Sequence, residues 1–182
     1  MREYRELLAD LPVDVTYLDE VGITTEVAEA GESFAENAVL KALGYAEMTG
    51  LWTWADDSGL EVDVLGGEPG IYSARYGGLQ GEQERYNYLL ARLADVPDAQ
   101  RAARFRCVVA LAFPDGDAFT ASGAIEGTIA HAPRGSNGFG YDPLFWVAEQ
   151  QCSSAELTPA EKNQLSYRAR AMALLKQRLG LA

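Results

Sequence analysis

The chain has 182 residues, 48% of them hydrophobic and 23% charged, which fits an ordinary globular protein and excludes fibrous and disordered classes. Its net charge of −12 argues against a protein that coats a nucleic acid polymer or an anionic membrane, because those partners require a basic face. The two cysteines cannot build a disulfide framework, and one histidine excludes zinc sites made of several histidines. We therefore expect a cytoplasmic protein.

The first part of the chain is predicted to start with a helix. Apolar residues in 4–11 follow helical spacing, Pro12 ends that segment, and residues 13–18 are predicted to form a short strand. Residues 33–36 read Ser-Phe-Ala-Glu, which is the pattern of a capping box at a helix start. The second helix is predicted to run to about Thr49.

A buried strand over residues 51–55 is predicted next, and it ends in a sharp acidic turn at 56–59. Glycines then make residues 66–78 rich in turns. Apolar spacing over 86–93 predicts another amphipathic helix.

The second half of the chain carries the clearest strand pattern, at residues 104–113. A turn at 114–117 allows residues 118–124 to pair back as a hairpin, and 127–132 is predicted as a further strand. Residues 133–143 are predicted to form a glycine-rich loop.

The end of the chain is predicted to be helical. Residues 158–161 form a second capping box with proline at the first helical position, and the helix runs to about Leu179. The order of helices, hairpins and strands predicts one α/β domain over residues 1–182 with a mixed sheet.

The acidic motif at residues 56–59 is the first candidate site. Because side chains alternate along a strand, Asp56 and Asp57 are expected to face opposite sides. Carboxylate oxygens suit Mg²⁺, and a carboxylate beside the metal can orient or deprotonate a water molecule. The same residues are also typical of an Asx turn, so the local pattern leaves both interpretations open.

The glycine-rich loop is the second candidate site. Gly138 and Gly140 let the backbone approach a planar ligand, and Phe139 and Tyr141 offer rings that can stack on a base. Asp142 can accept hydrogen bonds. The alternative is a loop whose aromatic side chains fill the core.

Charged residues elsewhere are ambiguous when they are considered alone. Lys162 and Arg168 lie on the last predicted helix, and Glu29 precedes the helix that carries Lys41. Each suits phosphate or metal chemistry, and each is equally typical of a solvated surface. The chain has no G-x-x-x-x-G-K-[ST] phosphate loop.

Taken together and in order, these motifs closely resemble the inosine triphosphate pyrophosphatase family over nearly the whole chain. The matching segments are Ser33-Phe34-Ala35-Glu36-Asn37-Ala38, Ala55-Asp56-Asp57-Ser58-Gly59-Leu60, Gly66-Gly67-Glu68-Pro69-Gly70-Ile71-Tyr72-Ser73-Ala74-Arg75-Tyr76, Gly138-Phe139-Gly140-Tyr141-Asp142-Pro143 and Glu161-Lys162-Asn163.

The resemblance implies an elongated central sheet flanked by helices, a homodimer, and Mg²⁺-dependent hydrolysis of ITP, dITP and XTP to the monophosphate and pyrophosphate. This house-cleaning activity keeps deaminated purines out of nucleic acids. Asp57 matches the family's catalytic carboxylate and a metal ligand, and Glu29 matches a second metal ligand. The implied substrate contacts are Ser58, Lys41, Phe139, Gly140, Tyr141, Asp142, Lys162, Tyr167 and Arg168.

Two positions depart from the family pattern. The match begins just after the place where the family has a strand and a Thr/Ser-x-Asn-x-x-Lys loop that grips phosphates, so we expect the chain to lack both. This leaves an alternative open, a nucleotide-binding protein with reduced or lost hydrolysis. Tyr167 stands where the family usually has a histidine that helps to recognise the purine.

Overall fold

The computed structural model describes residues 4–5, 8–165 and 167–180. Helices and strands are mixed along the chain, as expected for an α/β fold, with four strands in succession between the second and the third helix. The helices are α1 (Phe34–Thr49), α2 (Glu82–Arg92), α3 (Pro159–Leu165) and α4 (Tyr167–Arg178). The strands are β1 (Thr53–Val62), β2 (Ala102–Ala112), β3 (Ala118–Ile129), β4 (Phe145–Val147) and β5 (Cys152–Ser153).

The sheet follows chain order, β1-β2-β3-β4-β5. Arg104 Nη1 lies 2.9 Å from Asp63 Oδ1, and Arg106 Nε lies 3.1 Å from Glu61 Oε2. Higher residue numbers in β2 therefore face lower residue numbers in and next to β1, so the two strands run in opposite directions. A tight turn joins β2 to β3, and β3 pairs antiparallel with β4, as β4 does with β5. The predicted α/β class is confirmed, and each of the described strands pairs antiparallel with its neighbour in the chain, where a mixed sheet was expected.

Helix α1 forms as its sequence predicts. The Ser33 hydroxyl accepts a hydrogen bond from the Glu36 N–H at 3.2 Å, which satisfies one of the unpaired donors at the helix start. Gly50 ends the helix in the left-handed conformation, with φ of 67°. Ala38, Ala42 and Ala46 recur every four residues and are fully buried or nearly so, which allows close packing of this face.

Three predicted elements differ from the structure. Residues 13–18 form no strand, because the Glu20 carboxylate accepts hydrogen bonds from Thr16 and from the Tyr17 N–H and closes a local turn. The acidic turn at 56–59 is instead part of the ten-residue strand β1. The two strands predicted over 118–132 are one continuous strand, β3.

Two predicted helices include residues that lie outside the described part of the chain. The predicted helix over 4–11 includes residues 6 and 7, which lie outside it. The predicted helix from 159 to 179 appears as α3 and α4, and Ser166 between them also lies outside the described residues.

The chain divides into two compact units. The first comprises Met1–Asp57, Cys107–Gly123 and Arg168–Ala182, and the second comprises Ser58–Arg106 and Ala124–Tyr167. Buried apolar residues of the first unit include Phe34, Ala38, Val109, Leu111, Met172 and Leu175. The core of the second unit includes Leu60, Val62, Leu89, Leu93, Ile129, Leu144 and Phe145.

The organisation of residues 1–182 as one domain stays a prediction. Among the described residues, no helix is both long enough and apolar enough to span a lipid bilayer.

Candidate active site

The adjacent carboxylates of strand β1 contact different partners. Asp57 Oδ2 accepts a hydrogen bond from Asn37 Nδ2 at 3.0 Å. Asp56 Oδ2 accepts from Arg168 Nε at 3.2 Å and lies 3.6 Å from Cys107 Sγ. Alternation along the strand therefore gives the two carboxylates separate environments, as the sequence predicted, although the motif is a strand and not a turn.

Glu29, Lys41 and Asp57 lie together in the first unit, and we call them the charged cluster. The Lys41 ammonium donates to Glu29 Oε1 at 2.7 Å and lies 3.7 Å from Asp57 Oδ1. Lys41 and Asp57 retain little exposure, at 17% and 13%, whereas 34% of the Glu29 side chain is exposed. The structure thus brings together three residues that are separated in the sequence and were each ambiguous alone.

Helix α1 positions this cluster. Asn37 and Lys41 are one helical turn apart and share a face of α1. The Asn37 side chain is fully buried, and its carbonyl accepts from the Gly31 N–H at 2.9 Å while its amide donates to Asp57. Asn37 therefore connects the segment that carries Glu29 to the strand that carries Asp57. The sequence analysis did not identify Asn37 as a site residue. Its position four residues before Lys41, on the same face of the predicted helix, could have indicated that it lies near the site.

The segment before α1 is held against the helix by a glycine. A β-carbon on Gly44 would lie 2.8 Å from Val27 Cγ2, so only glycine leaves room for this valine. The Val27 N–H also donates to the Tyr45 hydroxyl at 3.3 Å. These contacts fix the chain two residues before Glu29.

The donor set of the charged cluster suits a hard divalent cation. Glu29 and Asp57 both approach one cationic group, the Lys41 ammonium, which shows that their oxygens can serve a shared positive charge. Among the described residues, no group of three or more His, Cys, Asp or Glu side chains is placed to hold a metal. Two carboxylates with remaining positions for phosphate oxygens and water match Mg²⁺.

Residues 138–142 of the second unit form what we call the aromatic loop. Its carboxylate, Asp142, is buried and accepts from the Phe139 N–H at 2.9 Å, from the Ser154 hydroxyl at 2.9 Å and from the Lys162 ammonium. Both oxygens thus receive protein donors, and the carboxylate fixes Phe139 and Lys162. Ser154 was not identified from the sequence, because its contact with Asp142 depends on the fold.

The loop requires glycine at its first position. Gly138 has φ of +82°, and a β-carbon there would clash with the Asp142 carboxylate and lie 2.6 Å from Lys162 Nζ. Gly140 also has positive φ, +59°, but nothing lies within 4 Å of its added β-carbon. The Gly140 N–H donates to Glu82 Oε1 at 3.0 Å, a further contact that the sequence did not reveal.

The two aromatic side chains of the loop have different surroundings. Phe139 is 59% exposed, and the Lys162 ammonium lies 5.4 Å from its ring centroid. Tyr141 is buried, donates to the Ser73 carbonyl at 3.0 Å, and has a pKa raised to about 12 by burial. The sequence left two alternatives open for these rings. The Phe139 ring is exposed and can stack on a base, whereas the Tyr141 ring fills the core.

The remaining predicted site residues lie on β1 and α4. Ser58 follows Asp57 directly in strand β1. The Tyr167 ring stacks on Phe105 with centroids 5.8 Å apart, and the Arg168 guanidinium pairs with Asp56. Arg168 is therefore engaged by a carboxylate of its own unit.

Comparisons with known proteins place the chain among relatives over most of its length. The model of the Ham1 family matches residues 1–178. A dITP/XTP pyrophosphatase of Pseudomonas syringae pv. tomato is 58% identical over 158 residues, which cover 86% of this chain and 80% of that protein. A dITP/XTP pyrophosphatase of Geobacter sulfurreducens is 48% identical over 181 residues, which cover 99% of this chain and 91% of that protein.

A solved structure agrees with these sequence matches. A HAM1 protein from Coxiella burnetii has a TM-score of 0.91 and 41% sequence identity, over 100% of this chain and 93% of that one. Because the family model matches nearly the whole chain, and the fold and the sequence agree with it, the chain belongs to the Ham1 family.

Proposed function

We propose that this chain hydrolyses the deaminated purine nucleoside triphosphates ITP, dITP and XTP to the monophosphate and pyrophosphate, and so keeps them out of nucleic acids. The observation that carries the proposal is the charged cluster, in which Glu29 and Asp57 share the ammonium of Lys41. Similarity to proteins named dITP/XTP pyrophosphatase supports the choice of substrate.

In this proposal Asp57 is the catalytic residue. Its carboxylate orients a water molecule and accepts a proton from it as the water oxygen attacks the α-phosphorus. The bond from that phosphorus to the bridging oxygen then breaks, and pyrophosphate leaves. Glu29 and Asp57 would hold Mg²⁺, which when bound supplies charge stabilisation at phosphoryl oxygens. Lys41 donates hydrogen bonds to phosphate oxygens.

The aromatic loop suits recognition of a purine that carries a keto group. Lys162 has only donor groups, so it matches a carbonyl oxygen on the base and leaves the amino group of adenine without an acceptor. Phe139 offers an exposed ring for stacking. Asp142 holds both residues in place.

Further contacts in the proposal come from residues near these two groups in sequence. Ser58, Gly140, Tyr141, Tyr167 and Arg168 are assigned to substrate binding by their match to the family motifs. The Tyr141 ring is buried, and hydrogen bonds to the Ser73 carbonyl and the Asp56 carboxylate fix the positions of Tyr141 and Arg168. The homodimer and the cytoplasmic compartment stay predictions, and light scattering of the purified chain would test the first.

The test is an incubation of the chain with Mg²⁺ and ITP, dITP, XTP or ATP, with all products separated by anion-exchange chromatography. We expect IMP and pyrophosphate from ITP, and much slower turnover of ATP. Formation of IDP and phosphate would contradict the proposal. Nucleotide binding without any product would instead support the alternative, a nucleotide-binding protein that has lost hydrolysis.

A further inference from the structure

Lys41 occupies a position that a metal ion would compete for. Its ammonium donates to Glu29 at 2.7 Å and lies 3.7 Å from Asp57, the same two carboxylates that are proposed to hold Mg²⁺. Only 17% of the Lys41 side chain is exposed, and the charges of partly buried groups are screened less than those of fully exposed groups.

The charge balance of the cluster explains why a lysine belongs there. Two carboxylates held near each other repel, and the ammonium offsets part of their combined charge. A divalent ion on the same oxygens would lie close to the ammonium, and the two positive charges would repel at short range. The ammonium and the metal therefore disfavour each other as long as nothing else neutralises Lys41.

A triphosphate removes this conflict. Its oxygens accept hydrogen bonds from an ammonium, and the flexible four-carbon side chain of Lys41 can turn towards them while α1 stays fixed. Once Lys41 is bound to phosphate, its ammonium no longer occupies the position beside Glu29 and Asp57. Nucleotide and metal then favour each other's binding, and this coupling is reciprocal.

We infer that Lys41 is an internal counterion that blocks metal binding by Glu29 and Asp57 until a triphosphate draws it away. The metal consequently binds weakly to the nucleotide-free protein and enters together with the nucleotide. This inference rests on the proposed metal site, but it concerns the nucleotide-free protein and needs no turnover.

The test measures Mn²⁺ binding to the nucleotide-free protein by electron paramagnetic resonance, for wild type, Lys41→Gln, Lys41→Arg and Arg5→Gln. Lys41→Gln removes the competing charge, and we expect Mn²⁺ affinity to rise about tenfold or more. Lys41→Arg keeps the charge and should bind Mn²⁺ as wild type does. Arg5→Gln is the matched control, because it removes one positive charge from an exposed pair with Glu20 in the same unit and should change nothing.

Two results would overturn the inference. One is Mn²⁺ affinity in Lys41→Gln that is equal to or weaker than that of wild type, with circular dichroism showing a folded protein. The other is a gain that persists in the double variant Lys41→Gln with Glu29→Gln, which would place the metal elsewhere. The product assay on wild type separately decides whether the chain is a pyrophosphatase.

Discussion

The charged cluster of the first unit and the aromatic loop of the second use carboxylates in opposite ways. Glu29 is 34% exposed and shares a single ammonium with Asp57. Asp142 is 5% exposed and receives donors from three protein groups. Glu29 shares a displaceable cation and is partly exposed, so it is available for metal and water, whereas Asp142, whose two oxygens both receive protein donors, serves to position its neighbours. Partners and burial, rather than residue type, distinguish the two roles.

The strongest test of this difference is Asp57→Asn. The amide cannot accept the proton from water, so we expect hydrolysis of ITP to fall by about 10²–10⁴-fold. Thermal unfolding should change little, because Asn37 can still donate to the side-chain oxygen at this position. Retention of wild-type turnover in a folded Asp57→Asn protein would remove Asp57 from the catalytic role.

Nucleotide binding by the aromatic loop should instead depend on the space around its glycines. Gly138→Ala places a methyl group against Asp142 and Lys162 at positive φ, so we expect nucleotide affinity to drop at least about tenfold, with a loss of stability. Gly140→Ala is the control for backbone strain alone, because it also has positive φ but meets no atom within 4 Å. Its cost should be about 1–2 kcal/mol of unfolding free energy. Isothermal titration and thermal melts of both variants measure the difference, and equal affinities would contradict the role given to Asp142.

Ser154→Ala tests whether Asp142 needs its hydroxyl partner. Loss of the donor should cost about 1–3 kcal/mol of stability and raise the KM for ITP while kcat changes little, because the positioning of Lys162 and Phe139 loosens. Ser154→Thr should restore the KM. Ser153→Ala is a matched control, since this buried hydroxyl donates to the Arg134 carbonyl at 2.7 Å instead. It should lower stability without raising the KM, and a KM rise in both variants would count against a specific role for Ser154.

The smallest effect concerns Glu161, which caps the helix that carries Lys162. Hydrogen bonds from the Thr158 backbone N–H and then its hydroxyl hold the pKa of Glu161 below its usual 4.5. A lowered carboxylate pKa contributes stability that is present above pH 4.5 and is lost as the pH falls through the lowered value. Urea midpoints of wild type should therefore decline below pH 4.5, and Glu161→Gln should reduce that decline slightly. Identical pH profiles would show that this cap adds no pH-dependent stability.

Local patterns in the sequence predicted the elements that local interactions decide. Helix α1 begins at the predicted capping box and ends at Thr49 as predicted, because each contact spans only a few residues. The acidic motif was wrongly predicted as a turn, since Asp, Ser and Gly favour turns locally. Sheet pairing with β2, about fifty residues later in the chain, overrides that preference.

The site residues show the same division. The charged cluster was named through the resemblance, but periodicity gave no sign that Lys41 lies between Glu29 and Asp57. Arg168 was assigned to substrate binding, and its pairing with Asp56, 112 residues away, was not visible in the sequence. Long-range contacts of this kind depend on the fold.

Gly44 limits which substitutions the chain tolerates near Glu29. It carries no functional group, yet Val27 rests against its bare α-carbon two residues before Glu29. Valine is stiff about its first side-chain bond, so even alanine at position 44 would push the backbone that supports Glu29 away from α1. A complete scan of single substitutions should therefore find position 44 nearly as intolerant as the charged residues themselves. In such a scan, position 44 would resemble a catalytic position, although its intolerance comes from packing against Val27.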